Sequence, residues 1–183
     1  NKVLKIAKKK GINVFFKRSK KLCKKSTPKL SVWKDAVKKS EIFFKKKFKY
    51  IVDIEVTNPL INSGDLNNFT KSYFNKKNKY DGQFCITPAK KNPYFNVMEY
   101  ISGKYFLSKK IRNIKITARQ YAPKVFEHVA GFYYFKRNYL LQCKSLFQGK
   151  IFGFNVSLFK SFDIDSQSDF KLVELLMKNK KNI

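Results

Sequence analysis

The sequence predicts an α+β domain: a ferredoxin-like split βαβ plait with a long β-hairpin and basic helical extensions at both ends. Three observations predict it. Strand-like apolar runs recur in four places, two amphipathic segments of helical length separate them, and a proline-bracketed pair of apolar runs at residues 82–110 sits mid-chain. A chain of 183 residues has room for one domain plus extensions. The apolar fraction of 43%, with 19 Phe and 10 Tyr, is enough to form a core rather than a disordered chain.

Residues 1–31 read as a basic arm. Lys8, Lys9, Lys10, Lys17, Arg18, Lys20 and Lys21 stand among scattered apolar residues, a pattern that threads along nucleic acid rather than folding alone. Ser31 is placed to cap a helix over 32–44, where Trp33, Ala36, Val37, Ser40 and Phe44 share one face. From residue 50, Tyr50, Val52, Ile54 and Val56 interleave with Ile51, Asp53, Glu55 and Thr57, the period-two pattern of a strand, which Asn58 and Pro59 end. Leu66, Phe69, Tyr73 and Phe74 suggest a short helix within 60–80.

The stretch 82–110 then reads as a finger. Phe84 and Ile86 belong to a short strand, Pro88 and Pro93 bracket a basic tip with Lys90 and Lys91, and a second apolar run covers 94–107. Proline cannot donate to a ladder, so pairing should stop at the tip and leave its lysines outward. Ile114, Ile116 and Ala118 alternate with polar residues, as another strand or a continuation of the finger. Pro123 fits the first turn of a helix reaching about Tyr134, with Val125, Phe126, Val129, Phe132 and Tyr133 on its buried side. Residues 151–159 alternate again, and Ser168 opens a last helix striped by Phe170, Val173, Leu176 and Met177. The order strand, helix, strand, strand, helix, strand is that of the plait, with an antiparallel sheet and both helices on one face. Its expected span is 49–162 with the hairpin at 82–110, an extension at 1–48 before it and a helical extension at 163–183 after it.

Charge is the outlying property. A formal +29 with pI near 10.1 would make a free globule repel itself, so a permanent polyanionic partner is expected. Of the 41 basic residues 37 are Lys, whereas Arg is the better bidentate reader of phosphates and bases. That ratio, with 15 Asn, points to the codon bias of an AT-rich genome.

Catalytic patterns are sparse. Cys23, Cys85 and Cys143 have no CxxC spacing, which suggests neither a disulfide framework nor zinc, and a reducing compartment. Asp53 and Glu55 share one strand face, expected to be the exposed one. Asp163, Asp165, Gln167, Asp169 and Glu174 have partial calcium-loop spacing, but Ser168 stands at the glycine position. His128, the one histidine, has no nucleophile at a meaningful spacing. The run 103–109 lacks the second glycine of a phosphate loop, and no run of 18 apolar residues suggests a membrane span. The expectation is a binder without catalytic residues, metal, cofactor or small-molecule substrate. Lys90, Lys91, Lys104, Lys109, Lys110 and Arg112 would meet RNA backbone, and Tyr94, Phe95, Tyr100, Tyr105 and Phe106 offer stacking faces.

The finger resembles a known family. Thr87, Pro88, Ala89, Lys90, Lys91 and Asn92, then Phe95, Met98 and Glu99, then Gly103, Lys104, Tyr105, Phe106 and Leu107, look like the signature hairpin of small-subunit ribosomal protein ten, in particular its mitochondrial branch. Downstream, Tyr133, Tyr134, Phe135, Lys136 and Arg137, and later Lys150, Ile151, Phe152, Gly153 and Phe154, look like the helix-end and final-strand segments of that branch. Ala89 stands where the family has His and Pro93 where it usually has Arg, so Lys90 and Lys91 would be the surviving loop contacts. The resemblance implies a structural component of the mitochondrial small ribosomal subunit, seated in its head, bound to the 3′ domain of the small-subunit rRNA and to neighbouring ribosomal proteins, with no enzyme activity.

Other readings stand beside it. Residues 101–103 and 129–132 resemble large-subunit ribosomal protein five. A divergent nucleic-acid-processing enzyme would use Asp53 or Glu55, and a peripheral membrane protein would use the amphipathic helix at 32–44.

Overall fold

The longest strand among the described residues, β5 (Phe126–Lys136), has partners on both edges. In the computed structural model, which describes residues 2–76, 79–109, 116 and 118–179, β1 (Tyr50–Ile54) pairs antiparallel with one edge of β5. β2 (Gly82–Pro88) pairs antiparallel with the other edge, and β6 (Ile151–Asn155) adds parallel to β2. The sheet order is β1, β5, β2, β6, so the architecture is α+β with a mixed sheet.

Both faces of this sheet are covered. α3 (Ser63–Asn75) lays Phe69 and Tyr73 on one face, against Cys85, Val129, Phe132 and Tyr134. α2 (Lys29–Phe44) lays Trp33 and Val37 on the other, against Tyr133, Phe135 and Leu140, the last from α4 (Arg137–Gln142). Each helix has a local reason to start where it does. Asn62 caps α3 by accepting from Asp65 N–H at 3.1 Å, while the Asp65 carboxylate accepts from Asn62 N–H at 2.9 Å. α2 begins after Pro28, ahead of Ser31, and ends at Lys45 in the left-handed region with φ 49°. α5 (Gln167–Lys178) is capped by Ser166 and Asp169 in the same reciprocal way, two residues before the Ser168 start expected from sequence.

The helix expected from Pro123 to about Tyr134 is the strand β5. A central strand covered on both faces loses the polar alternation that marks a half-buried one, so residues 129–135 read as one continuous apolar run. Such a run does not distinguish strand from helix by period. Its aromatic and β-branched content around Gly131 was the available signal. Of the two helices expected on one face only α3 forms, because the second became the middle strand; α2, expected within the extension, covers the other face. α2 precedes the boundary expected at residue 48, yet Trp33 and Val37 are each only 5% exposed.

The finger is also built differently. β2 pairs with β5, while β3 (Met98–Ile101) and β4 (Lys104–Leu107) form a separate two-stranded hairpin. Its turn is Ser102 and Gly103, at φ 49° and 81°, the doubly positive geometry of a tight hairpin turn, which glycine adopts freely. The proline-bracketed segment is the hairpin's base. Asn92, 9% exposed, donates to Pro123 O at 2.9 Å, Lys109 N–H donates to Pro93 O at 2.9 Å, and Ser108 N–H donates to Val97 O at 2.9 Å. Within 1–31, α1 (Lys2–Lys9) is helical and buries no residue, and Phe15 joins the arm to α2 by stacking on Phe43 at 4.6 Å. No described helix is long and apolar enough to cross a membrane.

Candidate functional site

The ends of three strands meet on one side of the sheet. Lys49 and Tyr50 open β1, Asp81 precedes β2, and Lys136 closes β5 before the chain turns into α4. Backbone bonds fix this junction: Arg137 N–H donates to Lys49 O at 3.1 Å, Lys136 N–H to Asp81 O at 2.9 Å, and Asp81 N–H to Lys150 O at 2.7 Å. Together with Phe48, Asn138, Tyr139 and Gln142 these residues line an open cleft of about 550 Å³, within the usual size range of small-molecule sites.

Each wall has a defined chemistry. Lys49 Nζ lies 5.4 Å from the Tyr50 ring centroid, so the ammonium is held over an aromatic face. Arg137 is committed elsewhere: Nε and Nη2 donate to the two oxygens of Glu41 at 2.5 and 2.8 Å. That bond, joined by Phe48 N–H, holds the Glu41 carboxyl below the usual carboxylate range. Tyr139 is fixed by donating to Leu146 O at 2.8 Å and accepting from Gly149 N–H at 3.0 Å. Asp81 Oδ2 accepts from Lys150 N–H at 2.9 Å, and Asp81 is the one carboxylate in the lining. The cleft thus combines two lysines, two side-chain amides and aromatic walls. These groups can bind a small anion that carries a flat ring, and no nucleophile with an adjacent base is among them.

A second constellation lies under the start of α2. Lys29 pairs with Glu55, sits 3.3 Å from Asp53, and has its ammonium 4.2 Å from the Tyr133 ring centroid and 5.1 Å from that of Trp33. The strand face holding Asp53 and Glu55 is therefore the one turned toward α2, while Val52 and Ile54 on the opposite face are 41% and 53% exposed. His128 packs edge-on against Phe84 and Tyr133 at 4.7 and 5.2 Å, and the solvent it loses there, with Lys29 nearby, pushes its pKa down. Its charges are mutually satisfied, so the cluster pins α2 to the sheet. Burial pushes the Cys85 thiol up to about 11, which removes it as a nucleophile at neutral pH. Among the described residues no group of three or more His, Cys, Asp or Glu could hold a metal ion. Asp169 serves the cap of α5.

The residues singled out from sequence are not brought together. Lys90 and Lys91 lie at the hairpin base, where Lys90 N–H donates to the Glu127 carboxylate at 3.1 Å, and Lys104 stands just past the hairpin turn. Lys109 closes the hairpin, and Lys110 and Arg112 lie outside the described residues. Lys8 and Lys9 are on α1, Lys10 follows it, Lys17 and Arg18 are outside any helix or strand, and Lys20 and Lys21 are in a short 3-10 turn; all are exposed. Tyr100 and Tyr105 pair across the hairpin at 4.9 Å and are 65% and 70% exposed. The cleft was not foreseen, because nothing along the chain links residues 49, 81 and 136 until β5 is known to be a strand between β1 and β2.

No family model matches the chain. It is 38% identical over 183 residues to the post-translational flagellin modification protein B of Campylobacter coli, covering 97% of this chain and 74% of that protein. It is also 38% identical over 182 residues to the CMP-N,N'-diacetyllegionaminic acid synthase of Campylobacter jejuni, covering 97% of this chain and 73% of that protein. These relatives overturn the expected kinship with small-subunit ribosomal protein ten, and with it the structural role, the rRNA and ribosomal-protein partners and the mitochondrial placement. Both are bacterial, and one is named a synthase, so the expectations of no enzyme activity and no small-molecule substrate are overturned too. The finger motif misled because lysine and phenylalanine matches are cheap in a chain this rich in both.

Proposed function

The chain belongs to the family of the Campylobacter flagellin modification protein B and CMP-N,N'-diacetyllegionaminic acid synthase, and on that premise we propose that it forms a cytidine-monophosphate ester of an acidic sugar. The identity of 38% over 97% of the chain carries this reading. The chemistry is joining of a sugar hydroxyl to the α-phosphorus of an activated cytidine nucleotide, with a new O–P bond formed and pyrophosphate released when the donor is the triphosphate.

The cleft at the ends of β1 and β5 supports the reading. Its product would carry a phosphodiester and a carboxylate, two anions whose charge the ammonium groups of Lys49 and Lys136 in the lining would oppose. Asn138 and Gln142 present the amide donors and acceptors that a pyrimidine edge requires, and Tyr139 and Phe48 are faces on which its ring can lie.

The test is formation of the ester by the full chain from cytidine triphosphate and N,N'-diacetyllegionaminic acid in magnesium buffer, read by mass spectrometry. Calorimetry with CMP runs in parallel. Each of Lys49→Ala and Lys136→Ala should weaken CMP binding about tenfold, the loss of one charge-assisted contact of about 1.4 kcal/mol. Absence of both product and CMP binding refutes the proposal; CMP binding unchanged in both variants moves the site away from this cleft.

A further inference from the structure

Asp81 is fixed from three directions. Its N–H donates to Lys150 O at 2.7 Å, its carbonyl accepts from Lys136 N–H at 2.9 Å, and its side-chain Oδ2 accepts from Lys150 N–H at 2.9 Å. One residue thus joins the end of β5 to the start of β6, just ahead of β2. Gly149 completes the arrangement. A Cβ there would clash with the Tyr139 ring and come within 2.8 Å of Asp81 Oδ2, so only a glycine lets that ring and the carboxylate border the same stretch of backbone. The Tyr139 hydroxyl accepts from Gly149 N–H at 3.0 Å and donates to Leu146 O at 2.8 Å, which holds the ring in place beside the acid. These contacts are internal to residues 81–150 and stand whatever precedes or follows them.

A carboxylate offers several acceptor positions and no donor. Lys150 N–H takes one of them, and Asp81 lines the cleft as its one carboxylate. A flat ring lying against Tyr139 has this acceptor close to its edge. Of the two common pyrimidines, cytosine carries an exocyclic amine, which donates, where uracil carries a carbonyl oxygen, which only accepts.

We propose that Asp81 is the specificity-determining residue of the cleft, accepting a hydrogen bond from the exocyclic amine of a cytosine and setting an acceptor against the carbonyl of a uracil. The inference rests on the reading of the cleft as a cytidine-nucleotide site, and it names the group that tells cytidine from uridine there. Lys49 and Lys136 cannot do so, because both nucleotides carry the same phosphate and ribose. The amides of Asn138 and Gln142 hold a donor and an acceptor each, so a turn of either side chain suits either base. Asp81 has no such alternative. A site that leaves a buried polar group facing its own kind discriminates more strongly than one that only loses a contact.

The test is calorimetry of the full chain with CMP and with UMP. The parent should bind CMP at least about tenfold tighter than UMP, the discrimination usual for one carboxylate on a cytosine amine. Asp81→Asn keeps an oxygen for Lys150 N–H and gains a donor, so it should bring the two affinities within about threefold by weakening CMP and strengthening UMP. A CMP analogue with both amine hydrogens replaced by methyl groups should bind the parent no better than UMP does, and it serves if Asp81→Asn fails to fold. Equal binding of CMP and UMP by the parent overturns the proposal, as does a CMP to UMP ratio unchanged in Asp81→Asn. An equal loss of both nucleotides in that variant assigns Asp81 to the ribose or to tethering the loop, and overturns it too. So does an analogue that binds as tightly as CMP. Failure of the parent to bind either nucleotide refutes the nucleotide site itself, a result distinct from all of these, and the inference falls with it.

Discussion

Asn58 does at one position what several residues would otherwise share. Its amide nitrogen donates to Ala130 O at 2.6 Å and Lys160 O at 2.8 Å, and its oxygen accepts from Leu60 N–H at 3.2 Å, with the residue 4% exposed. It ties the end of β1 to β5 and to the turn after β6. Asn58→Ala leaves two part-buried carbonyls unmet and should cost about 1 kcal/mol in urea unfolding; a midpoint within error of the parent would mean that water replaces the amide. Glu41 gives a pH-dependent counterpart. Its folded pKa is depressed, first by the bond from Arg137, so its stabilising contribution is present above the ordinary carboxylate pKa and is lost as pH falls through the lower folded value. The melting temperature of Glu41→Gln should therefore lie below the parent's at pH 7, and the gap should close below about pH 4. A gap that persists at pH 2.5 would show that shape, not charge, is what the glutamate contributes.

At the scale of elements, α2 determines whether the sheet has one hydrophobic layer or two. Its stripe of Trp33 and Val37 was legible at helical spacing, but where that stripe docks was not. Trp33 meets Tyr133 at 4.9 Å and Phe135 at 5.2 Å, ring to ring, and Lys29 at the head of the same helix is held by Asp53 and Glu55. Trp33→Ala should destabilise the whole domain by about 3 kcal/mol in denaturant unfolding, the usual cost of emptying an aromatic core site. Loss of α2 with the sheet intact would instead return this helix to the role of a detachable extension. The β3 and β4 hairpin is the opposite case. All of its strand residues but Leu107 are exposed, so its turn geometry, not burial, sets its shape.

For the whole molecule, charge and fold point in different directions. The cleft uses Lys49 and Lys136, and the cap and ion pairs engage a few more basic residues, which leaves most of the +29 without a role in holding the fold. The sequence by itself determined the local elements whose pattern is periodic: the strand from Tyr50, the helices around Trp33 and Phe69, the strand from Ile151 and the helix near Phe170. It also determined the cationic composition. Only the tertiary structure decided that residues 126–136 are a central strand, that Asp53 and Glu55 face a helix, and that Lys49, Asp81 and Lys136 share a cleft. The physical reason is common to all three. Periodicity records whether one side of an element meets water, and a strand covered on both faces carries no such record, so its neighbours and everything gathered at its ends are fixed by packing alone.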